Sequence, residues 1–304
     1  LPTRLLTGFK RQAETTRQPA RRFTHNQGIQ QTTTSGATSG MKRIVRQLIR
    51  RTGFDIVRYR SAPPKVVGPA EVKPVFPPDF DPEAIDIIQT VQPYTMTSIE
   101  RIFALIQAVR YIVQANIPGD IVECGVWRGG SMMAVAHTLR RLGQDKTNLY
   151  LFDTYEGMTK PDATDVDYAG QPALVEFEVT KRGDDSSSWC YAPLEEVRQN
   201  MASTGYDMSR VKFIKGKVEE TLPGSAPDRI SLLRLDTDWY ESTRHELTHL
   251  FPRLSTGGVL IVDDYGYWQG NRRAVDEYLA EHGFHLLLNR IDFTGRIAIK
   301  CVPS

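Results

Sequence analysis

Leu232-Leu233-Arg234-Leu235-Asp236-Thr237-Asp238-Trp239-Tyr240-Glu241-Ser242-Thr243 decides how the rest of this chain is read. An apolar run ends in two carboxylates set two residues apart, and a helix-like segment follows. About twenty residues on, Gly258-Val259-Leu260-Ile261-Val262 ends in a second pair, Asp263-Asp264. In a parallel α/β sheet the strand carboxyl ends share one edge, where ligands bind. Neighbouring strands of this kind would bring four carboxylates together. Carboxylates so close raise each other's pKa, and a divalent cation relieves the repulsion. All-oxygen ligation suits Mg²⁺, Ca²⁺ or Mn²⁺ better than zinc. Any one of these Asp residues alone is an ordinary strand-end turn or N-cap; four at consecutive strand tips point to a site.

Upstream, Gly119-Asp120-Ile121-Val122-Glu123-Cys124-Gly125-Val126-Trp127-Arg128-Gly129-Gly130-Ser131 reads as a strand, a glycine turn and a helix running to about Arg141. Such a turn lets a ligand approach the backbone at a helix amino end. Its pattern, Glu-x-Gly-x-x-x-Gly, is not that of dinucleotide binders. The next strand, Asn148–Phe152, ends at Asp153. An acid at the end of the second strand is where such folds hold a ribose hydroxyl pair.

Further elements follow in alternation. A helix over Ser98–Asn116 has Ser98 as N-cap. Next come a long irregular lid at about 155–192, a helix Leu194–Ser203 and a strand Arg210–Ile214. Lys215-Gly216-Lys217 makes a turn after that strand. Helices are expected over Thr243–Phe251 and Asn271–His282. Phe284–Asn289 and Thr294–Ile299 are spaced for an antiparallel hairpin. The whole is an α/β, doubly wound, mostly parallel sheet with an antiparallel carboxyl-terminal pair. Arg234 interrupts an apolar strand and, if buried, needs a partner that the sequence does not name. Trp189 and Tyr191 end the lid, as substrate surface or as packing anchors.

The chain has 304 residues and ordinary globular content, 40% hydrophobic and 24% charged. Its net charge of +2 hides an asymmetry. Residues 1–60 hold 13 Lys and Arg against two acids, and the remainder 25 against 34. A mildly acidic body argues against nucleic-acid binding. Three widely spaced cysteines, Cys124, Cys190 and Cys301, form no disulfide framework, which points to a reducing compartment. The expected location is cytoplasmic, at most peripheral at the inner membrane face.

Residues 1–40 are rich in Arg, Thr, Gln and Ser, with Glu14 the single acid, and read as a disordered leader or extension before Met41, of a composition that also resembles an organellar transit peptide. Residues 41–52 form a basic amphipathic helix. It is suited to an anionic membrane surface, to docking on the chain's own body, or to a second copy in a homo-oligomer. A proline-rich arm (Pro63, Pro64, Pro69, Pro74, Pro77 and Pro78) leads to a folded domain over about 81–304.

Taken together, Glu123-Cys-Gly-Val-Trp-Arg-Gly-Gly130, Asp153, Leu-Asp236-Thr-Asp238-Trp-Tyr-Glu-Ser-Thr243 and Val-Asp263-Asp264-Tyr265 resemble the macrocin O-methyltransferase (TylF/MycF/NovP-type) family. The resemblance covers roughly Tyr94 to Lys300. It implies a class I methyltransferase that uses S-adenosylmethionine and Mg²⁺ to methylate a hydroxyl of a sugar, glycan or glycosylated natural product. By the same resemblance Glu123, Gly125 and Ser131 would meet the methionine and ribose side of the cofactor, and Asp153 the ribose hydroxyls. Lys217 would lie near the adenine, while Thr95 and Met96 close over the cofactor. Asp236, Asp263 and Asp264 match metal ligands, with Asp236 also beside the cofactor, and Asp238 matches the general base. His245, His249 and His282 are rival bases. Rival functions are a metal-dependent hydroxylase or hydrolase using the same acids, and a non-catalytic binding module.

Overall fold

A computed structural model describes residues 76–301. The leader, the basic helix at 41–52 and most of the proline-rich arm lie outside the described residues. Two helices come first, α1 (Pro82–Val91) and α2 (Ile99–Gln114). Both start on side-chain caps, as helix amino ends require. Asp81 accepts the Ala84 N–H, and Ser98, the expected cap, accepts that of Arg101. On α2 the apolar stripe is Ile102, Leu105, Ile106, Val109 and Ile112, all buried, matching the 3.6-residue period.

The alternating unit then begins: β1 (Asp120–Cys124), α3 (Gly130–Arg141), β2 (Leu149–Asp153). The lid holds α4 (Leu174–Thr180) and a ribbon of β3 (Lys181–Gly183) and β4 (Ser186–Ser187). It is therefore more ordered than its Gly-, Ser- and acid-rich composition suggests. Then follow α5 (Leu194–Ser203), β5 (Val211–Lys215), α6 (Val218–Thr221), β6 (Ile230–Leu235), α7 (Tyr240–Leu250), β7 (Leu254–Val262) and α8 (Gln269–Glu281). The chain closes with β8 (Asn289–Arg290) and β9 (Arg296–Ile299).

The seven-stranded sheet has the order β5-β2-β1-β6-β7-β9-β8. β1 pairs in parallel with β2 and β6, β2 with β5, and β6 with β7; β9 and β8 pair antiparallel at the far edge. The order reverses between β1 and β6, so their carboxyl ends flank the crevice where such sheets bind ligands. The hairpin exists but is shorter than expected. Only Asn289 and Arg290 of the first run pair, while Phe284, Leu286 and Leu288 turn their side chains against the core instead.

The sheet separates two cores. Leu232, Val259 and Ile261 pack with α1, α2 and α3, and Leu233, Leu235 and Leu260 with α7 and α8. Strand alternation therefore aims Arg234, between Leu233 and Leu235, at the α2 side. Glu123 on β1 is paired in register with it.

Candidate active site

Two turns meet at the switch point. The first follows β1, where Gly125 takes φ +82°. A Cβ there would stand 2.0 Å from the Asp236 carbonyl oxygen, so the two turns touch backbone to backbone. Gly130 opens α3, and a Cβ on it would meet the Tyr94 carbonyl at 2.6 Å and Thr95 at 2.7 Å. The Tyr94–Thr97 segment thus rests on the helix amino end. Asp153 braces this turn. One oxygen accepts the N–H groups of Val126 (2.6 Å) and Trp127 (3.0 Å), and the other accepts that of Tyr155 (2.6 Å). Burial pushes its carboxyl up, opposed by those three bonds. The sequence reading gave Asp153 a ligand role and missed this structural one.

The second turn follows β6. Asp236, Asp238 and Asp264 each offer an oxygen, all within 4.8 Å of one another. Desolvation and neighbouring acids raise all three carboxyls, Asp238 to about 7. One Asp264 oxygen has no hydrogen-bond partner among the described residues. Asp238 sits at φ +71°, a left-handed conformation uncommon outside glycine.

Asp263 does not join that group, although it was expected to. Instead Arg234 Nη2 donates to one of its oxygens at 2.6 Å and Arg101 donates to the other. Arg234 also binds Glu123 (2.5 Å) and Asp236 (2.7 Å), which supplies the missing partners. Glu123 is wholly buried and off the cavity wall. Desolvation pushes its carboxyl up to about 7, with Arg234 opposing. Arg101 reaches on to Asp292 (2.9 Å), tying α2 to the turn before β9. Its position, three residues after the Ser98 cap, was the available signal for it.

A cavity of about 800 Å³ joins the two turns. Thr95, Met96, Gly125, Ser131, Asp153, Asp236, Asp238, Asp263 and Asp264 all face it. Trp189 and Trp268 add an aromatic wall, each packed edge-on against Trp239 at 5.6 and 5.1 Å. Tyr191 is off the wall, exposed beneath Arg182. Lys217 faces a separate cavity of about 70 Å³, with Phe152, Asp153 and Gly216, and ion-pairs with Asp185 of the lid. Asp153 borders both cavities. None of His245, His249 and His282 lines either one.

A mostly parallel Rossmann-like sheet with this glycine turn at its switch point defines the class I methyltransferase fold. A family model described as Macrocin-O-methyltransferase (TylF) matches residues 83–298, and the chain belongs to that family. It is an S-adenosylmethionine-dependent O-methyltransferase. Over 218 residues it is 35% identical to the 8-demethyl-8-(2,3-dimethoxy-alpha-L-rhamnosyl)-tetracenomycin-C 4'-O-methyltransferase of Streptomyces olivaceus, covering 72% of this chain and 80% of that one. Over 204 residues it is 36% identical to the demethyldecarbamoylnovobiocin O-methyltransferase of Streptomyces niveus, covering 66% and 74%. The solved structure of the O-methyltransferase NovP superposes with a TM-score of 0.61 at 33% identity, covering 69% of this chain and 83% of that one. No described helix is long and apolar enough to cross a membrane.

Proposed function

We propose that this enzyme transfers a methyl group from S-adenosylmethionine to a sugar hydroxyl of a glycosylated small molecule, with a divalent cation, Mg²⁺ by its chemistry, at the acid turn. The observation that carries the reading is the trio Asp236, Asp238 and Asp264, with one arginine on Asp236 and none on the other two among the described residues, in one cavity with the glycine turn. Its raised carboxyls and the unpartnered Asp264 oxygen fit a hard cation. Asp236, Asp238 and Asp264 would hold it; Asp263, held by two arginines, orients their surroundings. A bound cation lowers the pKa of a coordinated sugar hydroxyl.

The remaining work is positional. Methyl transfer from a sulfonium needs the oxygen in line behind the methyl carbon. Gly125 and Ser131 border the space for the methionine end. Asp153, at the end of β2 and bordering both cavities, suits the ribose. The Lys217 cavity then suits the adenine. Asp238 has a second oxygen to take the hydroxyl proton. The tryptophan wall and the lid exclude water from the sulfonium. Sugar as the acceptor class is supported by the rhamnosyl compound in the first relative's name.

Calorimetry of S-adenosylmethionine with Mg²⁺ and with EDTA tests the cofactor half. Wild type should bind at micromolar affinity, and Asp153→Ala should weaken it at least about tenfold, the loss of a charge-assisted contact. A screen of glycosides with labelled methyl donor tests the acceptor half. Transfer to free phenols in preference to glycosides would reject the sugar assignment.

A further inference from the structure

We infer that Glu246 is a positioning residue, which holds the Asp236-Thr237-Asp238 turn from beneath so that both carboxylates face the cavity. Glu246 lies on α7, fully buried, and touches neither cavity. Its Oε1 accepts the Thr237 hydroxyl at 2.9 Å. Its other oxygen has no hydrogen-bond partner, and no cation pairs with it, among the described residues. Burying a carboxyl without a cation is costly, whereas an apolar side chain there would cost nothing. The group that repays the cost is Thr237, the one residue between the two functional acids.

The backbone shows why that turn needs a strut. Asp236 N–H is fixed to the Cys124 carbonyl at 2.8 Å, and Trp239 N–H to the Thr237 carbonyl at 2.8 Å. Between those anchors Asp238 must hold φ +71°, a strained setting that persists only when its surroundings fix it. The Thr237 side chain adds a restraint through its bond to Glu246, beside the Ser242 hydroxyl that donates to the Thr237 carbonyl at 3.4 Å. On the same helix, Thr243 accepts from Asn271 of α8 at 2.9 Å, a separate buried bond that ties α7 to α8. Desolvation pushes the Glu246 carboxyl well above the ordinary range, opposed by its bond to Thr237.

This rests on the reading of Asp236, Asp238 and Asp264 as the cation's holders, and the test separates the two. Mn²⁺ binding is followed by electron paramagnetic resonance on the full chain, and S-adenosylmethionine binding in EDTA by calorimetry. E246Q, which keeps an acceptor, should bind Mn²⁺ within about threefold of wild type. E246L and T237V should each weaken it about tenfold. E246L, whose residue lines neither cavity, should leave cofactor affinity within about twofold; Thr237 borders the Lys217 cavity, so T237V is read by Mn²⁺ alone. The double variant should be no weaker than E246L, because both remove one interaction. T237V carries the test alone if E246L does not fold. Mn²⁺ affinity unchanged in T237V, or cofactor affinity falling in step with Mn²⁺ affinity in a folded E246L, overturns the inference. No Mn²⁺ binding by wild type overturns the cation reading, and the inference with it.

Discussion

Two groups of carboxylates stand side by side at the carboxyl edge of one sheet, and their electrostatics are opposite. Glu123 and Asp263 face α2 and are bound by Arg234 and Arg101. Asp238 and Asp264 face the cavity with no arginine on them among the described residues, and Asp236 spans the divide through Arg234. The first group is a structural lattice, in which each buried charge has an opposite charge beside it. The second is negative charge held in reserve. The path of the backbone alone separates them, since Asp263 and Asp264 are neighbours in the chain. What marks function here is the acid left unpaired.

The sharpest way to break that contrast is Asp264→Asn. Methyl transfer from labelled S-adenosylmethionine to an accepted glycoside should fall about 10³-fold, within the range expected when a positioned acid–base apparatus is disabled. Thermal melting of the metal-free protein should stay level or rise, because a repulsive charge is gone. A large loss of stability would place Asp264 in the lattice instead. Arg234→Met should do the reverse. It strands Glu123 and Asp263 as buried charges and should cost about 3–5 kcal/mol in urea unfolding. An unchanged unfolding midpoint would refute the lattice.

The smallest expected effect is on pH dependence, and it sharpens the comparison. Asp238 titrates at about 7 in the folded protein and at about 3.9 unfolded. Between roughly pH 4 and 7 the native state keeps a proton that the unfolded chain has lost. Its contribution to stability is therefore full below pH 4 and disappears as pH rises through 7. Its carboxyl is half-buried at the cavity, and screening there limits the loss to about 2 kcal/mol. Melting curves in EDTA should show this decline, and saturating Mg²⁺ should flatten it. A metal-free protein that grows more stable from pH 4 to 7 would contradict the assignment.

Much of this was legible in the chain. The period-two and period-3.6 patterns located most of the strands and helices, and the ends of apolar runs located the acids. Ser98 announced its own helix. What the pattern does not carry is direction. Asp263 and Asp264 read as equivalent, and only the path of the backbone beyond β7 gives one two arginines and leaves the other without any. Arg234 was visible as an anomaly, but its partners come from β1 and β7 and are set by register. Lys217 sat in the expected turn, yet its charge is engaged by Asp185, thirty-odd residues upstream. The order in the lid was hidden because short elements packed on a larger body lack a hydrophobic period of their own.

The tryptophans have an optical consequence. The chain holds four. Trp127, Trp189 and Trp268 line the large cavity, and Trp239 is packed against two of them. No indole lies elsewhere, so the tryptophan emission of this protein, excited apart from its twelve tyrosines, comes from the neighbourhood of that cavity alone. Quenching or a spectral shift on adding a compound is then a direct sign of arrival there, without any label.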